Sequence, residues 1–242
     1  MKAIRVKPYE KVHLIYDYIM QHVDYDDWAD YIHEIIEHHK PNGKKLLDVA
    51  CGSGKFFPFL EKNKYEITGV ELSQEMIELA KKTTNVKTIY AQDMRELNID
   101  DTFDIILCLF DSVNYLTNLA QLTSLFDRVS EHLSENGLFI FDVATQTSCI
   151  QHFSNYTETG TLGNLHFERR CLYDFEKNIQ TSHFEIEISD EKFVETHKQH
   201  IYSHEEILNA IENSKLTLAE THGDFDLDPI DDETERAHYV LR

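Results

Sequence analysis

Three carboxylates and one glycine turn hold the chemistry legible in this sequence. Asp48, Glu71 and Asp93 each stand at the end of an apolar stretch that reads as a strand, and a buried carboxylate needs a partner. After the first of them comes Cys51-Gly52-Ser53-Gly54, a tight turn in which glycine permits unusual backbone angles and lets a ligand approach the main chain. An acidic residue about twenty residues beyond such a turn, at the tip of the next strand, is placed to grip a ribose diol. That is Glu71. A carboxylate at Asp93, with the Met94 N–H beside it, can accept from an exocyclic adenine amine while the N–H donates to the ring. Asp93 alone could equally cap a turn, and two glycines alone fit any strand-turn-helix. Three carboxylates at three successive strand tips point to a nucleoside.

Two familiar phosphate motifs fail here. The G-x-x-x-x-G-K-[ST] loop needs glycine where Val49 stands and Ser or Thr where Phe56 stands. A G-x-G-x-x-G dinucleotide turn needs a small residue at Phe57, which would crowd helix against strand and hinder a pyrophosphate. The expected ligand is therefore a nucleoside without a pyrophosphate.

The elements that must position these groups follow from periodicity. Residues 46–50 read as a central parallel strand buried on both faces, and 55–60 as the start of a helix. Residues 66–70 form a second strand, Ser73 caps a helix with Met76, Ile77 and Ala80 inward, and 86–91 form a third strand. Strands at 103–109 and 137–143 flank a helix at 119–133. The fold class is α/β: a doubly wound, Rossmann-like, seven-stranded, mostly parallel sheet. Residues 9–39 read as helical and rich in aromatics, a lid over the glycine turn, with Tyr16 as its main ligand-facing residue. Beyond residue 144, three runs alternate with period two and read as an antiparallel β insertion, residues 164–202. Ser203 to Glu206 is a capping box opening a return helix, and 216–222 and 238–241 are the last strands. The acidic 224–235 stretch reads as a solvated hairpin tip. One domain, 1–242, results: a helical lid at 1–44, a core at 45–143, the insertion at 164–202 and the return segment at 203–242.

Composition narrows the partners. With 23 Lys and Arg against 44 Asp and Glu, the formal net charge is −21. Such a surface repels phosphate backbones and anionic lipid headgroups, so neither nucleic acid nor membrane is expected. The four cysteines show no CxxC spacing and read as free thiols. With no apolar leader at the start and no long apolar run, a cytoplasmic location is expected. No metal is expected: His33-Glu34 lacks the second histidine of H-E-x-x-H, and His197, His200 and His204 should be scattered by strand and helix geometry.

On these residues the chain resembles the class I S-adenosylmethionine-dependent methyltransferases over essentially its whole length. LLDVACGSGKF is similar to the family's first motif, VELSQEMIELAK to its second, and AQDM to its adenine-site motif. LFDSVNYL and LSENGLFIFDV resemble the segments around the fourth and fifth strands. The aromatic start and late insertion resemble a bacterial, largely uncharacterised subgroup and the amino-sugar and glycine-type N-methyltransferases. The resemblance implies S-adenosylmethionine as cofactor. Glu71 would hold the ribose, and Gln92, Asp93 and Met94 the adenine, with Leu72 and Met76 packed on the adenosine. Gly52, Gly54 and the Ala50 and Cys51 carbonyls would line the methionine end. Asp48 would orient that loop, Tyr16 would face the methionine carboxylate and Leu109 would complete the wall. Related N-methyltransferases often place histidine where Tyr115 stands, which leaves the general base open. Asp111, Tyr115 and Tyr202 are the candidates for orienting a substrate or taking its proton, with Asp111 and Tyr115 the catalytic assignments. The acceptor is expected to be a small molecule bearing an amine or hydroxyl, bound between the amino-terminal helices and the insertion. A macromolecular acceptor, a non-catalytic cofactor binder and a nicotinamide enzyme are the alternatives. A homodimer interface is the alternative role for the insertion.

Overall fold

The computed structural model describes residues 3–86 and 88–242. In chain order the amino-terminal part holds β1 (Ile4–Arg5), a 3-10 turn (Val12–Leu14), α1 (Tyr16–Ile19) and α2 (Tyr25–His39). The α/β part holds β2 (Lys45–Val49), α3 (Phe57–Lys62), β3 (Glu66–Glu71), α4 (Gln74–Thr83), β4 (Ile89–Ala91), β5 (Phe103–Cys108), α5 (Leu119–His132) and β6 (Leu133–Ala144). Then come α6 (Gln146–Ser148), which runs on as a π turn (Cys149–Phe153), and the strands β7 (Asn155–Leu162), β8 (Leu165–Asp174), β9 (Ile179–Ile188) and β10 (Glu191–His200). The chain closes with α7 (His204–Glu212), β11 (Leu218–Gly223) and β12 (Arg236–Leu241).

The main sheet has the order β11-β12-β6-β5-β2-β3-β4. Strands β2 to β6 pair in parallel, while β12 and β11 return antiparallel at one edge. Both faces are covered, as a parallel sheet requires. Leu47, Val49, Ile106, Phe139 and Phe141 pack on one side with Phe126 of α5 and Ile207 of α7. Leu46, Ile105, Leu107, Leu138 and Ile140 pack on the other with Trp28, Ile32, Ile35 and Ile36 of α2. Period-two alternation along each strand thus feeds two cores, and β2 lies central with its tip carboxylate at the carboxyl edge. The third parallel strand is shorter than the 86–91 expected, and Lys87 in that span lies outside the described residues.

Three expectations needed correction. Residues 9–39 are not one helical run: Tyr9 takes a left-handed backbone (φ 66°), and α2 starts afresh where the Asp24 carboxylate accepts from the Asp26 and Asp27 N–H groups. The insertion is also larger than 164–202. It is a separate sheet of order β1-β10-β9-β8-β7, which recruits the amino-terminal β1 and the strand β7. Strand β7 escaped notice because its run, NYTETGTL, exposes most of its side chains and offers no apolar alternation. Val12 and Ile15 pack on Phe167, Phe184, Ile186 and Phe193 of this second sheet, so the amino terminus is docked to it. The 224–235 loop is not simply solvated either: Phe225 folds back onto Trp28, with ring centroids 4.7 Å apart.

Candidate functional site

The carboxyl edge of the main sheet opens into a cavity of about 660 Å³. Tyr16, Ala50, Gly52, Glu71, Leu72, Met76, Gln92, Asp93 and Met94 line it, all of them among the residues assigned to a cofactor from sequence. Glu71 is the organising group. Its Oε1 accepts from the Leu72 and Ser73 N–H groups at 2.8 Å each, and its Oε2 from Gly52 N–H at 2.9 Å. Burial pushes this carboxyl up, against those three N–H groups, which pull it down. Leu72 is 65 % exposed on the same wall, an apolar side chain placed for a flat ring to cover. Gly52 has φ +57°, and a Cβ there would stand 3.5 Å from Met76 Cε and 3.8 Å from the Tyr16 hydroxyl, inside the space a ligand chain would thread. An acceptor carboxylate, an uncovered apolar shelf and a side-chain-free backbone suit an adenosine with a short polar tail.

Other assigned residues serve differently. Cys51, Gly54, Asp48 and Leu109 do not line this cavity. Cys51 is internal to the turn: its N–H donates to the Val70 carbonyl, and its own carbonyl accepts from Gly54 N–H, 3.0 Å each. Gly54 is needed for packing, since at φ +67° a Cβ would lie 2.9 Å from the Phe57 ring and 3.2 Å from Ala80 Cβ. Gly54→Ala is therefore expected to destabilise by roughly 2–4 kcal/mol, the left-handed penalty plus overpacking. A urea titration checks it; an unchanged midpoint would show that Phe57 moves aside. Asp48 makes no hydrogen bond to the loop it was expected to orient. Burial, then Glu71, pushes its carboxyl up to about 8. Asp93 does cap a turn: its carboxylate accepts from the Arg95 backbone and guanidinium, leaving part of its acceptor capacity towards the cavity. The Gln92 side chain is spent on the backbone of Asn98.

A second cavity of about 820 Å³ lies between α2, the π turn and the inner face of the second sheet. It shares four residues with the first: Tyr9, Tyr16, Phe110 and Tyr115. At that boundary runs a chain of polar contacts. The Tyr9 and Tyr115 hydroxyls are 2.8 Å apart, Tyr115 Oη is 2.8 Å from His197 Nδ1, and His197 Nε2 is 2.8 Å from Glu195 Oε1. Glu195 also accepts from the Tyr9, Lys11 and Val12 N–H groups. A carboxylate only accepts, so His197 carries its proton on Nε2 and its Nδ1 accepts from Tyr115. The Tyr115 oxygen then accepts from Tyr9, whose own lone pairs remain for a ligand. Burial pushes both phenols up, so they stay protonated near neutral pH.

Tyr115 thus falls on the boundary as assigned. Asp111 lines the larger cavity but is no free base. One oxygen accepts from both Arg236 guanidinium nitrogens at 3.2 Å and the other from Gln199, while its N–H donates to Asp142. Tyr202 is structural: it is buried, and its hydroxyl donates to the Leu116 carbonyl. Among the three histidines, His197 is in the chain just described, His200 faces Glu206 at 3.7 Å and His204 bonds Tyr239, so they do not converge. Sequence reasoning did not single out Tyr9, Glu195 or Arg236, and weighed His197 only as a metal ligand. The only hint was the inward phase of Glu195 and His197 in an alternating strand.

Residues 46–137 match the sequence profile of a family described as a methyltransferase domain. The chain is similar over 97 % of its length, at 26 % identity, to a Geobacillus sp. (strain WCH70) protein provisionally named a methyltransferase, covering 99 % of it. A dTDP-3-amino-3,4,6-trideoxy-alpha-D-glucopyranose N,N-dimethyltransferase of Streptomyces venezuelae is 31 % identical over 53 % of this chain and 55 % of its own. The crystal structure of an S-adenosylmethionine-dependent methyltransferase from Clostridium acetobutylicum ATCC 824 superposes with a TM-score of 0.81 at 27 % identity, covering 96 % of each chain.

Proposed function

We propose that this chain, whose residues 46–137 match a methyltransferase domain, is a class I S-adenosylmethionine-dependent methyltransferase that methylates an amine or hydroxyl of a small molecule held in the 820 Å³ cavity. The observation that carries this reading is the meeting of two cavities at Tyr9, Tyr16, Phe110 and Tyr115. Glu71, Leu72, Met76, Asp93 and the Gly52 backbone would hold S-adenosylmethionine in the first cavity. Bound there, the cofactor supplies a methyl group already activated by its sulfonium.

The protein's own share is alignment, exclusion of water and removal of a proton. The amino-terminal segment acts as the lid, placing Tyr9 and Tyr16 between the two sites. Tyr9 faces the acceptor as a hydrogen-bond acceptor and passes the proton lost there, through Tyr115, to His197 beside Glu195. Asp111, braced by Arg236 and Gln199, shapes the floor. The similarity to an amino-sugar N,N-dimethyltransferase supports an amine on a small molecule. The net charge of −21 argues against a nucleic-acid acceptor.

Calorimetry tests the cofactor half directly. S-adenosylhomocysteine is expected to bind in the micromolar range while NADH gives no comparable heat, since Phe57 packs where a pyrophosphate turn needs a small residue. Tighter binding of NADH would sink the reading. A structure of the S-adenosylhomocysteine complex should place its sulfur at the Tyr9–Tyr115 boundary.

A further inference from the structure

We infer that the acceptor carries an anionic oxygen group, a carboxylate or a phosphate ester, and that Arg169 binds it. This rests on the reading of the larger cavity as the acceptor site. Arg169 lines that cavity on β8. Its guanidinium lies among three rings, 5.6 Å from the centroids of Phe153 and Phe184 and 6.0 Å from Tyr156. Aromatic faces hold the flat cation in place but leave its N–H edge unsatisfied. Among the described residues no carboxylate pairs with it, and its Nε is buried without a hydrogen-bond partner. In a chain with 44 acidic residues, that is a conspicuous gap. Arg95, Arg128, Arg170 and Arg236 have carboxylate partners, and the other two arginines without one, Arg5 and Arg242, are exposed at the surface.

The strands around Arg169 furnish a donor surface. Register places Arg169 between Phe184 on β9 and Glu158 on β7, with which it makes no ion pair, Cys171 opposite Ser182 and Tyr173 opposite Gln180, while Ser182 faces His197 and Gln180 faces Gln199 on the next strand. Ser182 and Gln180 are each 5 % exposed and line the same cavity. The Gln180 carbonyl oxygen is taken by the Cys149 thiol, which leaves its amide N–H groups for a ligand. The opposite rim is acidic, with Asp24, Asp27, Asp30 and Glu34 on or just before α2. The cavity is therefore polarised. A ligand with an amine and an anionic group would seat its anion at Arg169, in the fork geometry that a guanidinium offers a carboxylate or phosphate.

The test uses the full chain saturated with S-adenosylhomocysteine, titrated at constant ionic strength with sodium phosphate and, separately, sodium acetate. The Arg169 Nε–H resonance is followed, assigned by its loss in Arg169→Gln. A saturable shift is expected, with affinity at least roughly tenfold weaker in Arg169→Gln when binding is read from neighbouring resonances. Arg169→Lys should recover only part of it. S-adenosylhomocysteine binding and the melting temperature of both variants should match the parent, which excludes misfolding. Preference for phosphate would identify a phosphate ester, and preference for acetate a carboxylate. No saturable shift with either anion in the tens of millimolar, or equal binding by Arg169→Gln, would overturn the inference. Failure of S-adenosylhomocysteine to bind would instead count against the methyltransferase reading, and the cofactor-free protein, titrated alike, would then judge Arg169 alone.

Discussion

Glu71→Ala is expected to weaken S-adenosylhomocysteine binding by about 30- to 1000-fold, the equivalent of losing roughly 2–4 kcal/mol of charge-assisted hydrogen bonding. Two effects act together. The ribose loses an ionised acceptor, and the Gly52, Leu72 and Ser73 N–H groups lose the oxygens that fix the turn. The fold should survive. Losing three accepted hydrogen bonds destabilises, but removing a carboxylate that burial disfavours, beside the buried Asp48, offsets it. The melting temperature should therefore stay within a few degrees while binding falls. Calorimetry with a parallel thermal melt separates the two. An unchanged dissociation constant would remove Glu71 from the site, and a collapsed melt would make it a structural residue first.

The cavity proposed for the cofactor is lined by residues legible in the sequence because local rules constrain them. A left-handed turn against a helix demands glycine, so Gly52 and Gly54 announce themselves, and a carboxylate closing an apolar run is costly enough to be noticed. The same locality explains the errors. Asp93 was read as an adenine contact and lines the cavity, but Arg95, two residues on, also shares its carboxylate. Cys51 and Gly54 were placed at the ligand because they belong to the motif, although their groups are consumed in making the turn. The acceptor half was not legible. Tyr9, Tyr115, Glu195 and His197 are far apart in sequence and meet only because β1 and the turn after it dock on β10. No periodicity reports that docking. Arg169 was hidden likewise, since β8 shows only that its phase is inward, not that a carboxylate is missing.

The second large effect is expected at His197. If the proton from the acceptor ends on its imidazole, His197→Phe should lower turnover by roughly 10²–10⁴-fold near neutral pH. Tyr115→Phe, which breaks the chain one link earlier, should do much the same, and the double variant should be little worse than either because the residues act as a unit. The pH profile distinguishes this role from a structural one. Burial holds the Tyr9 and Tyr115 phenols protonated near neutral pH, so they pass a proton without storing it. An amine acceptor sheds its own proton as pH rises, so the deficit of both variants should shrink at alkaline pH. A residue that merely braced the lid would depress turnover by the same factor throughout. Turnover can be followed as S-adenosylhomocysteine release against a panel of amino sugars and amino acids, taking the first that responds. S-adenosylhomocysteine affinity should be unaltered in His197→Phe, because the imidazole lines the acceptor cavity and not the cofactor one. A pH-independent loss, or none, would leave Tyr115 and His197 as packing between the second sheet and the lid.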